Sequence, residues 1–295
     1  MKKFKILIPC YNDWKSVFKL LEKIDSEIQK INNAEFSVII VNDCSTEKIT
    51  SNKAAYKKIR SIDIINIKKN QGHTRCYATG IKYLSKKLDF DYLLLMDGDG
   101  EDDPKDLNLL INSTLKKKDN SFVARRVKRS EGLIFGYLYR IHKIIALIFT
   151  GKNMNFGHYS CLTKNDVMLL STKKSLWSNF AGTAKKFIFN LDSVPSVRGS
   201  RYFGPSKMPL LDLVIHSFSI IATFKYQVLF RSLVMIGVST MLFFIKPNLV
   251  SIVVNFLLAL FCILIFVVAR RENLEELNNS ESRIENITNM HTIKL

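Results

Sequence analysis

The sequence has no cysteine pattern that could staple a fold. Its five cysteines, Cys10, Cys44, Cys76, Cys161 and Cys262, are odd in number and scattered, with no Cys-x-x-Cys and no Cys/His zinc spacing. A disulfide framework and a zinc module are therefore set aside, and a reducing compartment is expected for most of the chain. The P-loop pattern Gly-x4-Gly-Lys-Ser/Thr is missing, as are Gly-x-Gly-x-x-Gly, Gly-x-Ser-x-Gly and His-Glu-x-x-His. Their absence argues against P-loop nucleotide hydrolysis, a dinucleotide fingerprint, a nucleophile-elbow hydrolase and a zinc protease. The five histidines (His73, His142, His158, His216, His291) form no ligand pattern in sequence and read as structural or exposed. Acid is scarce: 26 Asp+Glu against 44 Lys+Arg gives a net charge of +18. Such a balance suits nucleic acid, an anionic membrane or phosphorylated substrates. No RNP, homeodomain or zinc-finger signature accompanies it, so nucleic acid is not the expected partner. The basic N-terminus is followed by about five apolar residues, too few for a signal peptide, and reads as a first strand.

What is present is a chain of 295 residues, 47% hydrophobic, with its apolar residues concentrated near the end. Leu249–Ala269 is 21 residues without a charge, and Val228–Ile245 is 18 residues with one, Arg231. About 20 apolar residues span a bilayer core. Only Lys246-Pro247-Asn248 separates the two runs, so they predict a helical hairpin with both outer ends on one side. Lys225, Arg231, Arg270 and Arg271 flank those ends against Lys246 alone in the turn, which predicts cytoplasmic termini and an inner-membrane, multi-pass protein. The tail from Glu272 carries about −3, leaving about +21 on the first 271 residues. A basic body tethered to a membrane is drawn to anionic lipid. Leu133–Thr150 and Pro209–Tyr226 are apolar runs broken by a few charges and read as helices in the headgroup plane. The expected division is a cytosolic domain over 1–208, an interfacial helix over 209–227, the hairpin over 228–269 and a polar tail over 270–295.

The cytosolic part alternates strand and helix. Short apolar strands are predicted at Lys5–Pro9, Phe36–Val41, Ile62–Ile67, Asp91–Met96 and Ser121–Val127. Helices are predicted at Asp13–Ile31, Glu47–Arg60, Gln71–Leu88 and Pro104–Lys116. Fully apolar strands alternating with helices predict an α/β fold with a mostly parallel sheet, whose ligands bind beyond the carboxyl ends of the strands.

Those ends are polar. They read Pro9-Cys10-Tyr11-Asn12-Asp13, Asn42-Asp43-Cys44-Ser45, Asn70-Gln71-Gly72 and Asp97-Gly98-Asp99-Gly100-Glu101-Asp102-Asp103-Pro104. The last places five carboxylates in seven residues, which is unfavourable unless a cation is bound. Mg²⁺ takes one or two carboxylates plus substrate phosphates. Asp102 and Asp103, before Pro104, suit a helix N-terminus; Asp97 and Asp99 have no such role. Basic residues follow at Arg125-Arg126 and across Arg198–Lys207, where Arg forks and Lys can meet phosphate.

This ordered set resembles the family 2 glycosyltransferases with a GT-A fold, and more narrowly the polyprenyl-phosphate glycosyltransferases of the dolichol-phosphate-mannose-synthase-like group. The pieces are Pro9-x-Tyr11-Asn12, Asn42-Asp43-x-Ser45, Asn70-x-Gly72, Asp97-x-Asp99 with Asp103-Pro104, and Arg198-x-x-Arg201-x-x-Gly204-x-Ser206-Lys207. The resemblance implies a nucleotide-sugar donor (a UDP- or GDP-sugar) whose nucleotide is lined by Pro9, Tyr11, Asn12, Asp43 and Gly72. It implies Mg²⁺ or Mn²⁺ on Asp99 with Asp97 beside it, and a polyprenyl phosphate acceptor met by Arg201 and Lys207, with Arg125 or Arg126 assisting. The implied activity is inverting sugar transfer to that phosphate for envelope glycan modification, by an enzyme in contact with the bilayer and with a homo-oligomer left open. Asn42 and Cys44 stand where Asp and Gly are more usual in the family, and His73 where a small or basic residue is common. Another lipid-linked or glycan acceptor, or a non-catalytic membrane scaffold, are the competing readings.

Overall fold

The computed structural model describes residues 1–49, 56–128, 133–205 and 209–290. The first strand, β1 (Lys2–Cys10), shows why the sheet is covered on both sides. Alternation along a strand sends neighbouring side chains to opposite faces. Phe4, Ile6 and Ile8 enter one apolar core and Leu7 enters the other. A strand buried on both faces belongs in the middle of a helix-covered parallel sheet, and β1 lies there. The strand order is β7-β5-β6-β4-β1-β2-β3-β8. It is formed by β2 (Ala34–Asn42), β3 (Ile59–Ile67), β4 (Tyr92–Leu95), β5 (Ser121–Lys128), β6 (Phe156–Thr163), β7 (Leu191–Val197) and β8 (Ile284–Asn289). The pairs β1–β2, β1–β4, β2–β3 and β5–β7 are parallel, whereas β6 and β8 run antiparallel to their neighbours.

Helix α1 (Trp14–Ile28) places Val17, Leu20, Leu21, Ile24 and Ile28 on one stripe against the first core. Helix α3 (Leu107–Lys116) joins it there through Leu107, Leu110 and Ile111. Helix α2 (His73–Lys87) covers the other face, and Gly80 lets it approach closely: a Cβ there would lie 2.6 Å from the Leu7 side chain. Helices α5 (Lys164–Leu170) and α6 (Phe180–Phe187) complete that layer.

The helix expected over Glu47–Arg60 is not seen among the described residues. Glu47–Ile49 is irregular, 50–55 lie outside the described residues, and Ile59 and Arg60 already belong to β3. The buried Asp25 of α1 accepts hydrogen bonds from the N–H groups of Lys57, Lys58 and Ile59, which turns the chain into the strand. Leu133–Thr150 forms helix α4, with Tyr137, Ile144, Leu147 and Ile148 exposed. Helix α7 (Leu210–Ala222) follows the expected course from 209, but the next helix starts at Lys225, three residues before the expected span.

Helices α8 (Lys225–Ile245) and α9 (Leu249–Ala269) are each long and apolar enough to cross a bilayer. They fold back as a hairpin. Asn248 caps α9 by accepting from the Ser251 N–H at 2.9 Å, and Asn255 Nδ2 donates to Thr240 Oγ1 across the pair at 3.0 Å. Their outer faces expose Phe230, Phe244, Leu249, Phe256 and Ile263, an apolar surface larger than soluble monomers carry.

The polar chain after α9 folds back onto the sheet domain. Helix α10 (Leu274–Asn278) packs beside α2, and β8 then adds to the sheet edge against β3. Lys82 Nζ donates to Asn278 Oδ1 at 2.8 Å and Lys86 pairs with Glu281 at 2.8 Å. Lys225, at the start of α8, pairs with the buried Glu272 just beyond α9 at 3.0 Å.

Candidate functional site at the carboxyl edge of the sheet

The ends of β1, β2, β3 and β4 bring the four polar motifs to one edge. Two later strands add to it. β7 runs parallel to β5, so the segment after Val197 emerges on that edge. β6 runs antiparallel to β4 with Leu95 opposite Ser160, so the start of β6 reaches the same place. Two residues further along that register, His158 comes to Asp97, with His158 Nδ1 3.9 Å from Asp97 Oδ1.

Asn12 ties the first two loops together. It adopts a left-handed backbone (φ 48°) that Asn tolerates. Its Oδ1 accepts from the N–H groups of Thr46 (2.8 Å) and Glu47 (3.1 Å), and its own N–H donates to Ser45 Oγ at 2.9 Å. Tyr11, beside it, is 42% exposed. A ladder of amides runs behind these loops: Asn66 Nδ2 donates to Asn286 Oδ1 and Asn42 Nδ2 to Asn66 Oδ1, while Asn42 Oδ1 accepts from the Ser45 N–H.

Asp43 is only 2% exposed, and both carboxylate oxygens are engaged. They accept from the N–H groups of Gln71 (2.8 Å) and Gly72 (2.9 Å). Gly72 takes φ 90°, a conformation that favours glycine, and α2 begins at the next residue. In this structure Asp43 and Gly72 build the turn that delivers His73.

The acidic loop divides into separate tasks. Asp97 Oδ1 accepts from the Tyr77 hydroxyl at 2.8 Å and lies 3.0 Å from His73 Nε2. Burial opposes its charge, yet His73 above all, with His158 and Tyr77, holds its carboxyl well below the usual carboxylate range. Asp102 accepts from the Asp97 N–H at 2.9 Å. Burial, reinforced by Asp97, pushes the Asp102 carboxyl up to about 8. Asp99 faces another way. Its Oδ2 accepts from Arg201 Nη1 at 2.6 Å, its Oδ1 from the Glu101 N–H at 3.0 Å. Burial, then repulsion from Asp97 and Glu101, pushes it up to about 6. Asp103 caps the turn at Pro104 by accepting from the Lys105 N–H.

Arg201 bridges two of these loops, since its Nη2 also donates to Asp13 at 2.6 Å. The segment carrying it lies directly on the acidic loop. Arg198 pairs with Glu101, the Gly199 N–H donates to Glu101 O, and the Tyr202 N–H donates to Asp99 O. The Tyr202 ring covers Gly100, which has φ 90° and would place a Cβ 2.5 Å from that ring. Gly100→Ala is therefore expected to cost about 1–3 kcal/mol and to lift the Arg201 segment. Chemical denaturation in detergent, paired with proteolysis after residue 198, checks both.

The remaining basic residues separate. Arg126 is half-buried, with Nη2 2.5 Å from where a Gly157 Cβ would sit, and its charge acts on Asp102, His158 and His216. Arg125 is exposed. Lys207 lies outside the described residues.

The histidines are what the sequence did not reveal. His73, His158 and His216 converge beside Asp97, with ring centroids 4.9 Å apart for His73–His158 and 6.1 Å for His158–His216. Their sources are α2, β6 and α7, so no sequence spacing links them; only the β4/β6 register could have. Burial, then His73, keeps the His158 imidazole well below its ordinary value, and the same causes push His216 down to about 4. The residues present suit a divalent cation on two counts. Asp97 and Asp99 form a carboxylate pair whose mutual repulsion a cation would relieve. His73, Asp97 and His158 each offer a ligand atom, all within 4.8 Å of one another.

The profile of the family described as glycosyl transferase family 2 matches residues 5–180. The chain belongs to glycosyl transferase family 2. Among curated relatives of this family 2 member is the dodecaprenyl-phosphate galacturonate synthase of Rhizobium johnstonii. It is 24% identical over 163 residues, covering 54% of this chain and 46% of the relative. Another is the undecaprenyl-phosphate 4-deoxy-4-formamido-L-arabinose transferase of Erwinia tasmaniensis, 23% identical over 222 residues, covering 72% of this chain and 65% of the relative. The chain thus spans about half to two thirds of the length of these relatives. Among solved structures, the glucosyl-3-phosphoglycerate synthase of Mycobacterium tuberculosis, crystallised with Mn²⁺, UDP-glucose and phosphoglyceric acid, aligns with a TM-score of 0.53 at 13% identity. The alignment covers 77% of this chain and 80% of that one. The GT-A fold is thereby shared, and the carboxyl edge described above is this family 2 chain's candidate active site.

Proposed function

We propose that the protein transfers a sugar from a nucleotide-sugar donor, a UDP- or GDP-sugar, to a polyprenyl phosphate held in the membrane, with inversion at the anomeric carbon. The observation that carries this reading is the contact of the Asp99 carboxylate, on the loop after β4, with Arg201, on the stretch of chain that precedes α7 and the apolar hairpin. The polyprenyl-phosphate relatives support it.

In this reading the nucleoside lies over Pro9, Tyr11 and Asn12, where the exposed Tyr11 ring can cover it. Asp43 and Gly72 hold the neighbouring turn in shape. Asp97 and Asp99 would hold Mg²⁺ or Mn²⁺, which when bound neutralises charge on the departing nucleoside diphosphate. The acceptor phosphate is already anionic and asks for positioning, with no dedicated base. Arg201 leaves its carboxylate partners to meet phosphate, since its planar fork suits that group. Arg126 and Lys207 add positive charge where two anions must approach, a preorganised electrostatic task. The hairpin and the exposed apolar faces of α4 and α7 keep the active edge at the bilayer surface. The basic flanks of α8 and α9 support a catalytic domain on the cytoplasmic side of the inner membrane. The sheet pairing of β8 accords with both hairpin ends lying on that side.

The test is transfer from a panel of radiolabelled nucleotide sugars into organic-extractable lipid, with undecaprenyl phosphate supplied. Labelled lipid from one donor is expected. Label appearing only in a lipid-linked saccharide would instead assign another acceptor, and no label in folded protein would remove the catalytic reading. Within that assay, Arg201→Ala should lower kcat/KM for the acceptor by about 10- to 100-fold, the worth of a charge-assisted hydrogen bond to phosphate. An unchanged acceptor response would take Arg201 out of the site.

A further inference from the structure

Three asparagines stand side by side on the neighbouring strands β2, β3 and β8. The register puts Asn42 opposite Asn66, and Asn66 opposite Asn286. Neighbouring strands lie about 4.8 Å apart, so opposed side chains on one face meet, and these amides join end to end. Asn66 Nδ2 donates to Asn286 Oδ1 at 2.7 Å, and Asn42 Nδ2 donates to Asn66 Oδ1 at 2.8 Å. The row then leaves the sheet. Asn42 Oδ1 accepts from the Ser45 N–H at 3.1 Å, and Ser45 Oγ accepts from the Asn12 N–H at 2.9 Å. Asn12 Oδ1 in turn accepts from the N–H groups of Thr46 and Glu47. Asn12 is the neighbour of the exposed Tyr11.

The middle of the row uses what an amide has and a carboxylate lacks. Asn42 accepts on one side and donates on the other; a carboxylate there could accept from Ser45 but has no hydrogen to give Asn66. Asn66 likewise accepts from Asn42 and donates to Asn286. Hydrogen bonds in such a row polarise one another, so the loss of one end is felt along it. The far end comes from a distant part of the chain. Asn286 sits on a strand that the chain reaches only after α8, α9 and α10, yet it ends a row that reaches the first loop of the carboxyl edge.

We propose that Asn286, acting through Asn66 and Asn42, is a positioning residue for the nucleotide end of the donor: the docking of β8 sets the shape of the loops that carry Tyr11–Asn12 and Ser45–Glu47. This rests on the donor reading given above, in which the nucleoside lies over Pro9, Tyr11 and Asn12. Asn286 acts through other side chains and need not touch the nucleotide. β8 also supplies its own control. Asn289 lies opposite Asp63 and donates Nδ2 to Asp63 Oδ1 at 2.8 Å. That is a side-chain bond between the same two strands, at the other end of their pairing and away from the loops. A general loosening of β8 would follow from the loss of either bond, whereas the row belongs to Asn286.

The experiment compares wild type, Asn286→Ala and Asn289→Ala, each as the whole chain in detergent. Hydrogen exchange of the peptide carrying Ser45, Thr46 and Glu47 needs no ligand. It should run about 2- to 10-fold faster in Asn286→Ala, the worth of one neutral hydrogen bond, and stay unchanged in Asn289→Ala. Calorimetric titration with UDP and with GDP should show the dissociation constant of the nucleotide that binds raised by a similar factor in Asn286→Ala alone. In the transfer assay the same loss should fall on the donor KM, with kcat unchanged within about twofold. Asn286→Asp keeps the accepting oxygen for Asn66 and should restore both readouts. The double variant Asn42→Ala/Asn286→Ala should be no worse than Asn42→Ala alone, because the two act in one row. Equal effects of Asn286→Ala and Asn289→Ala, or exchange unchanged in Asn286→Ala, would overturn the row. Faster exchange with nucleotide affinity untouched would overturn its role toward the donor. A wild-type chain that binds neither nucleotide would count against the transferase reading, while the exchange readout still decides the row.

Discussion

Asp99→Ala should reduce sugar transfer by about 100- to 1,000-fold, the usual scale for removing one preorganised electrostatic partner, while the protein remains folded. The reason lies in how the wild-type carboxylate is held. Asp99 is buried beside Asp97 and Glu101, and its carboxyl is pushed up to about 6. A raised carboxyl means the folded state binds the proton more tightly than the unfolded chain does. Wild-type stability therefore falls through this group as pH rises from the ordinary value of 3.8 to about 6. The variant lacks that loss, so its stability relative to wild type should improve across the same interval. Arg201 keeps its bond to Asp13, which limits disturbance of the loop. The measurement pairs donor-to-lipid transfer with denaturation at pH 4 and pH 7. Retained transfer would remove Asp99 from the reaction, and a variant less stable at pH 7 than at pH 4 relative to wild type would refute the repulsion argument.

Asp25→Ala should destabilise the α/β domain by about 3–5 kcal/mol without any direct effect on the site. Asp25 is 6% exposed and its carboxylate accepts from three consecutive backbone N–H groups, those of Lys57, Lys58 and Ile59, at 2.8–3.0 Å. Alanine leaves those donors without a carboxylate where the chain enters β3. Each stranded group costs about 1–3 kcal/mol, and partial access of water keeps the sum below the arithmetic total. Asp25→Asn keeps one accepting oxygen and should cost about half as much. Urea denaturation followed by tryptophan fluorescence reads this, since Trp14 is buried against α1's own Phe18. A loss below about 1 kcal/mol would mean the loop finds other acceptors.

The two-faced strands β1 to β4 were legible because burial on both sides demands continuous apolar runs, and Lys5–Pro9, Phe36–Val41 and Asp91–Met96 supply them. α4 falls on the expected residues for a similar reason: a long apolar run with few breaks has one good solution. β7 and β8 were not legible. Leu191–Val197 contains Pro195, which central strands exclude, and Ile284–Asn289 is half polar; both sit at sheet edges, where one side of the strand needs no partner. β6 escaped notice because Phe-Gly-His-Tyr-Ser-Cys-Leu-Thr shows neither alternation nor a long apolar run. Missing β6 also hid the histidine group, since His73, Asp97 and His158 meet only through the β4/β6 register. The Asp97/Asp99 loop was readable because charge repulsion is a property of sequence neighbours. The engagement of Asp43 with the Gln71 and Gly72 N–H groups was not, since it depends on how closely two loops approach.

The return of the chain from α9 to the edge of the sheet changes the mechanics of attachment. A domain hung from a membrane by one connection can swivel and tilt. This domain meets the hairpin at two points, the end of α7, whose Ile221 and Ala222 enter the core, on one side and the strand after α10 on the other, with the Lys225–Glu272 pair closing the frame between them. With the hairpin in a bilayer, as proposed above, two attachments would fix pitch as well as height, and the reactive edge would ride at a set distance above the lipid. An acceptor of any chain length would then present its phosphate to the same few ångströms of protein, and discrimination among lipids by tail length would have to arise inside the bilayer.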